Sequence, residues 1–340
     1  MKAIKFLIAL AFAGSLFAAC DTDIESKDIQ KPLTYDDLYY QNLRDYKKSD
    51  HAIAFMWFAQ YGAQNSMAVR FAGLPDSLDI CSLWGGIPDS SATEVWKELR
   101  FVQQVKGTKM LVVAITRIDA ESAELDFKKE QLRGLDMPAG AERDSVLNHA
   151  IDMYADYFLD QVFQNDLDGF DADYEPEGDW LSGDRFLRFY KRLALYLGPN
   201  PDQTKEERLK LLKERYGDQM TLEDCDKLLC VDSNGQVNGN AALVPLSNYY
   251  FVQAYGGGTG SGSTYGSWPV SKVVFCENVG DNWSGSLQGL KNQAAWEPPT
   301  GHKGGFGAFF GHRNYNVTQY NTEPYAIFRQ CIQVQNPAVH

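Results

Sequence analysis

Two periods govern the apolar and polar positions along this chain. Short runs rich in β-branched and aromatic residues stop at Gly, Asp, Asn, Gln or Trp, and between several of them lie longer stretches whose apolar residues recur every three to four positions. The first pattern belongs to strands, whose side chains alternate between two faces, and the second to helices with one apolar face. The strand-like runs are HAIAFMWFAQYG (51–62), SLDICSLWGG (77–86), KMLVVAITRI (109–118), LDGFDADYE (167–175), KLLCVDSNG (227–235), NYYFVQAYG (248–256), KVVFCENVG (272–280) and GFGAFFGHRNY (305–315). Helices are predicted over 144–164, over 183–197, where Phe186, Phe189, Tyr190, Leu193 and Leu197 share a face, and over 323–335. Strands alternating with helices, without internal repeat or linker, predict an α/β fold closed as a single-domain (β/α)8 TIM barrel. The competing architecture is an open doubly wound sheet, but no Gly-x-Gly-x-x-Gly opens a helix here. In a barrel the polar strand ends gather at the C-terminal face, where active sites lie.

The first 33 residues break the pattern. Two lysines, an apolar run from Phe6 to Ala19 and small residues before Cys20 predict a secretory signal over 1–19, too short to span a membrane. The ending LFAAC resembles a bacterial lipobox, with Phe17 where leucine is usual. That resemblance implies a lipid on Cys20 and anchoring in the outer membrane; ordinary cleavage nearby is the alternative. The acidic DTDIESKD that comes next resembles the stretch carried by surface-exposed lipoproteins of the Bacteroidota type, and 20–33 read as a polar tether before a barrel over 34–340.

A formal net charge of −13 argues against nucleic acid or an anionic membrane surface as partner and favours a neutral substrate. Beyond Cys20 the cysteines are Cys81, Cys225, Cys230, Cys276 and Cys331, an odd count without a CxxC. Buried thiols are expected, with a Cys225–Cys230 bridge left open. The five histidines lack metal-ligand spacing, so neither metal nor cofactor is expected.

The most acidic stretch is DGFDADYEPEGDW, residues 168–180. Acidic residues are poor strand formers, yet Asp171, Asp173 and Glu175 occupy every second position, as a strand needs to point three carboxylates one way. Steps of ~7 Å between like charges prevent all three from ionising cheaply in a dry site, so protons must be held there near neutral pH. Such a proton is available for general acid catalysis on a leaving group. A calcium loop is the other use of so many oxygens, but the position that would require glycine holds Pro176.

Residues 168–175 match the DGxDxDxE signature of glycoside hydrolase family 18 at every fixed position, on the fourth predicted strand, where that family carries it. The resemblance implies a TIM barrel and substrate-assisted catalysis. Glu175 then acts as the acid, Asp173 orients the substrate's acetamido N–H, Asp171 shares the proton that lets it do so, and Asp168 braces the strand start. Tyr255, ending FVQAYG, matches the tyrosine that bonds the acetamido oxygen, and Gln253 points the same way two residues earlier. Together with the signal segment, the layout resembles the endo-β-N-acetylglucosaminidase branch. The expected partner is thus an N-glycan or another GlcNAc-containing oligosaccharide, bound by a monomer. The Gly-rich YGGGTGSGSTYGSW (255–268) lacks GK[ST] and reads as a loop over the cleft. Trp57, Trp84, Trp268 and Trp283 are candidates for stacking on sugars, Trp283 foremost. Strand eight has no tryptophan floor, so Phe309 or Phe310 must serve, with Phe310 preferred. The family's SxGG on strand three is also missing, since that strand ends VVAITRID; this disfavours the chitinase alternative. A non-catalytic glycan-binding lipoprotein is the remaining alternative, against which the intact Glu175 speaks.

Overall fold

The computed structural model describes residues 33–62, 66–118 and 122–337. The expected signal segment, Cys20 and the tether up to residue 32 lie outside the described residues. In chain order the strands are β1 (Ile53–Phe58), β2 (Ile80–Leu83), β3 (Lys109–Ile115), β4 (Gly169–Asp173), β5 (Leu228–Ser233), β6 (Tyr249–Gln253), β7 (Thr264–Tyr265), β8 (Trp268–Pro269), β9 (Val273–Asn278) and β10 (Gly305–Phe309). All but β7 and β8 pair in parallel, β10 closing on β1, to form an eight-stranded barrel. β7 and β8 form a small antiparallel hairpin inside the Gly-rich segment, where the sequence pattern predicts only loop.

Each barrel strand lies inside one of the predicted runs and is shorter than it, because the polar residues closing the run leave the sheet. At the last strand the whole difference falls at one end. It ends at Phe309; Phe310 adopts a left-handed conformation, and Gly311–Tyr315 turn into a 3-10 helix. The anticipated helices appear as Ala141–Gln164, Asp184–Ala194 and Ala326–Gln335. Further helices occupy Asp37–Lys48, Thr93–Arg100, Asp126–Leu135, Lys205–Tyr216 and Gln288–Ala295. The helix Lys205–Tyr216 begins with a capping box in which Thr204 and Glu207 bond each other's backbone amides.

Two apolar layers result. Outward residues of the strands meet the helices, as where Phe170 stacks on Phe158 at 4.6 Å. Inward residues fill the barrel itself: Ile53, Phe55 and Trp57 from β1, Leu111 from β3, Cys230, Phe251, Val274 and Cys276. Phe55 lies flat on Phe251 with ring centroids 3.7 Å apart. All five cysteines beyond residue 20 are buried and free, so the Cys225–Cys230 bridge is not made.

β4 starts under a steric constraint. Gly169 has φ +152°, and a Cβ there would stand 2.1 Å from the carbonyl oxygen of Leu228 on β5. Only glycine lets the strand enter the barrel at this register. Asp168 just before it accepts hydrogen bonds from Lys109 Nζ (2.9 Å), Gln103 Nε2 (2.7 Å) and the Met110 amide (3.0 Å), bracing β4 against β3 as expected.

Candidate active site

The alternation of β4 sorts its residues. Phe170 and Ala172 face the helices, while Asp171 and Asp173 point into the barrel above its apolar filling. Both carboxyls are almost fully buried. Asp171 Oδ2 accepts from Trp57 Nε1 (3.0 Å) and Ser82 Oγ (2.7 Å). Its Oδ1 has no hydrogen-bond donor. Asp173 Oδ1 accepts from Gln253 Nε2 at 3.2 Å, and the same nitrogen reaches Asp232 Oδ1 on β5 at 2.8 Å. Asp173 and Asp232 are direct register partners on adjacent strands.

Removal from water dominates the proton affinities of these carboxyls. It pushes Asp171 up to about 7, opposed by its bonds to Ser82, Asp232 and Trp57. It pushes Asp173 up to about 8, with the charges of Glu175 and Asp171 acting in the same sense. Asp232 is raised well above the usual carboxylate range by burial and by the two aspartates of β4. Protons are thus held in this cluster near neutral pH, as the ladder of carboxylates demanded.

Glu175, just past the end of β4, stands at the rim with its side chain 28% exposed. Arg117, leaving β3, donates from Nε to the Glu175 carbonyl oxygen (2.6 Å), and its guanidinium lies 3.8 Å from the Glu175 carboxylate and 3.0 Å from that of Glu177. Tyr255 faces the carboxylates from the end of β6, and the residue is 42% exposed. Burial of its hydroxyl, then the nearby carboxyls of Asp232 and Asp173, raises it above the ordinary tyrosine range. The turn after it is clamped: both oxygens of buried Glu277 accept from the Gly256 amide (2.9 and 3.1 Å). A Cβ on Gly289 would sit 1.9 Å from that carboxylate, so the helix Gln288–Ala295 begins flush against it.

Among the aromatic candidates the structure selects differently from the sequence pattern. Phe309, inward on β10, has its ring 5.4 Å from Trp84, 6.2 Å from Trp57 and 6.1 Å from Tyr255. Phe310, the preferred floor, turns aside in its left-handed conformation toward His312 and Arg313. Trp283 packs against the layer between barrel and helices rather than on the barrel's interior cluster, which includes Trp84 and Phe309. Trp57 and Trp268 are buried and spend their N–H groups on Asp171 and the Val237 carbonyl. Asp171, Asp173, Glu175, Gln253 and Tyr255 converge; Trp283 and Phe310 do not join them.

Four contributors are not among the residues the sequence singles out: Ser82, Asp232, Arg117 and Glu277. Asp232 carried a visible signal, an aspartate closing the apolar run KLLCV at the inward parity. For Arg117 and Glu277 nothing in the pattern separates them from ordinary loop and strand-end charges.

Residues 21–275 match the family described as Glycoside hydrolase family 18, BT1044-like. The chain is 24% identical to endo-beta-N-acetylglucosaminidase F2 of Elizabethkingia meningoseptica over 98% of both chains. Among solved structures it superposes on an endo-beta-N-acetylglucosaminidase mutant from Cordyceps militaris, in complex with fucosyl-N-acetylglucosamine-Asn, with TM-score 0.61 and 21% identity over 90% of this chain and 98% of that one. The apo form of that enzyme gives TM-score 0.59 at 22% identity over the same shares. By the match over most of its length, and with the signature strand in place, the chain belongs to glycoside hydrolase family 18 and is a glycosidase.

Proposed function

We propose that this glycosidase cleaves the β-1,4 GlcNAc–GlcNAc bond of N-glycan chitobiose cores with retention, using the substrate's own 2-acetamido group as nucleophile. The observation that carries the reading is the graded ladder on β4, in which a partly exposed Glu175 stands above the buried, proton-holding Asp171 and Asp173. The scheme uses that gradient step by step. The acetamido oxygen attacks the anomeric carbon as the glycosidic C–O bond breaks. Glu175 gives its proton to the departing oxygen. Asp173 accepts a hydrogen bond from the acetamido N–H and balances the positive oxazolinium. Water then opens the oxazolinium and returns a proton to Glu175. Tyr255 is placed to hold the acetamido oxygen, and Gln253 holds Asp173 in line. Phe309 and Trp84 provide the apolar face at the mouth on which a sugar can lie.

The relative from Elizabethkingia meningoseptica and the Cordyceps militaris structure carry the same activity in their names. The experiment is incubation of the protein with an N-glycoprotein and, separately, with chitin oligomers, reading products by mass. Release of glycan that leaves one GlcNAc on the protein supports the reading. Cleavage of chitin alone makes the protein a chitinase, and binding without product makes it a glycan-binding protein.

The site of action proposed is the outer membrane surface, through a lipid on Cys20. The support is the LFAAC sequence and the acidic residues after it. Cys20→Ala moves the protein to the soluble fraction if this is correct, and leaves it in the outer membrane if it is not.

A further inference from the structure

The carboxyl of Asp232 is the part of the cluster that the two-aspartate scheme on β4 does not use. It is 1% exposed, on a strand beside β4, and directly opposite Asp173. The two hydrogens of the Gln253 amide are both spent, one on Asp173 Oδ1 and one on Asp232 Oδ1. That leaves Asp232 Oδ2 and Asp171 Oδ1 buried without any donor. Asp232 lies within hydrogen-bonding reach of both β4 carboxyls. Two buried carboxyls within hydrogen-bonding reach, each with an oxygen that no donor meets, are stabilised when one of them carries hydrogen.

We propose that Asp232 is a positioning residue: it holds a proton on its carboxyl and shares it with the Asp171–Asp173 pair, so that Asp173 bears the negative charge when the acetamido group arrives. The inference rests on the substrate-assisted reading above. The proton moves only between carboxyl oxygens, and none is gained or lost by the cluster in the step.

The surroundings leave Asp232 few alternatives. From β4 it faces Asp171 and Asp173; from β6 and its end, Gln253 and Tyr255; from its own strand, Cys230; from β9, Cys276. Burial holds both thiols far above their usual range, so they stay neutral. The cation that reaches the cluster electrostatically is Arg117, at the β3 exit, and it acts on Asp173. It pairs with Glu175 and Glu177 rather than with Asp232. An ionised Asp232 would thus add a second charge beside the one Asp173 must carry, whereas a protonated one is a hydrogen-bond donor to it.

The test compares wild type with Asp232→Asn and Asp232→Ala by the pH profile of kcat and by Tm against pH. Asparagine is neutral, of the same shape and still a donor, so Asp232→Asn is expected to fold, to keep kcat within several-fold and to keep the acid limb in place. Alanine removes the donor, so Asp173 is harder to ionise: the acid limb moves to higher pH and kcat falls roughly 10- to 100-fold, with KM little changed. If Asp232 were instead an anion, both substitutions would remove a repelling charge and move the acid limb to lower pH, which overturns the proposal. So does an Asp232→Asn protein that fails to fold. The Tm arm needs no substrate. A proton held in the folded state and lost in the unfolded state makes wild type lose stability as pH rises above about 4. The Tm advantage of Asp232→Asn over wild type is then expected to grow from pH 5 to pH 8, and a constant difference sinks the idea. If wild type releases no glycan, the functional reading fails and this arm alone decides the proton on Asp232.

Discussion

Asp168 and Asp173 flank the same short strand, five residues apart, and live under opposite rules. Asp168, at the bottom of the barrel, meets the Lys109 ammonium, the Gln103 amide and a backbone N–H. Asp173, near the top, receives one amide hydrogen from Gln253 and is surrounded by other carboxyls. A charge met by a cation and two donors ties β3 to β4. A charge taken out of water among its own kind is destabilising, and such an arrangement persists where chemistry uses it. The molecule therefore separates holding the barrel together from doing work in it, along a single strand.

The sharpest way to test that division is at the top of the ladder. Glu175→Gln is expected to fold with an unchanged Tm and to lose roughly 10²–10⁴ or more of its kcat, because Glu175 is the acid that protonates the leaving oxygen in the proposed scheme. Turnover like that of wild type would take Glu175 out of the mechanism. One step down, Asp173→Asn should lose hydrolysis of intact glycan and yet still use a preformed sugar oxazoline as donor, since that donor has already passed the step Asp173 assists. A glycosyl ester trapped on Asp173, or rapid cleavage of a substrate lacking the acetamido group, would replace the mechanism while leaving the barrel intact.

Stability should respond to pH at the same place. Asp171 is pushed up to about 7, so its proton is bound in the folded protein and absent from the unfolded chain between about pH 4 and 7. Its contribution is fully favourable below the unfolded value and is lost as pH rises through the folded one. Asp171→Asn should thus gain on wild type by roughly 1–3 kcal/mol more at pH 8 than at pH 5, read from chemical denaturation at both pH values. Equal gains at both would mean the carboxyl is ionised throughout. At the bottom of the strand the smallest and opposite effect is expected. Asp168→Asn should cost about 1–2 kcal/mol of stability by weakening the Lys109 contact, with kcat unchanged. A fall in kcat larger than the loss of folded protein would show that the two ends of β4 are not separable.

Much of this was legible in the residues. The eight strands announced themselves because each is a short apolar run cut off by polar residues, and the signature strand because its three acids fall at period two and match DGxDxDxE at every fixed position. Asp171, Asp173, Glu175, Gln253 and Tyr255 share an inward parity that can be counted along β4 and β6. Between the two phenylalanines proposed as floor, the structure places Phe309 rather than Phe310 on the interior cluster. Phe309 and Phe310 are the same residue type, and only the left-handed turn at Phe310 decides which one stays in the strand and which leaves the mouth. Trp283 failed for a similar reason: lying beyond a strand end says nothing about whether a ring faces the barrel or the layer outside it.

Sequence alone determined the architecture and the inward spacing of Asp171, Asp173 and Glu175, because periodicity and local composition are properties of consecutive residues; the role of each acid came with the family resemblance. Tertiary structure alone decided that Asp232 completes the cluster, that Arg117 reaches the catalytic strand, that Trp57 and Ser82 hold Asp171, and that Glu277 clamps the turn after Tyr255. These partners lie between 21 and 114 positions apart in the chain. What joins them is the register and closure of the barrel, and the burial that makes their charges matter exists only once that closure has excluded water.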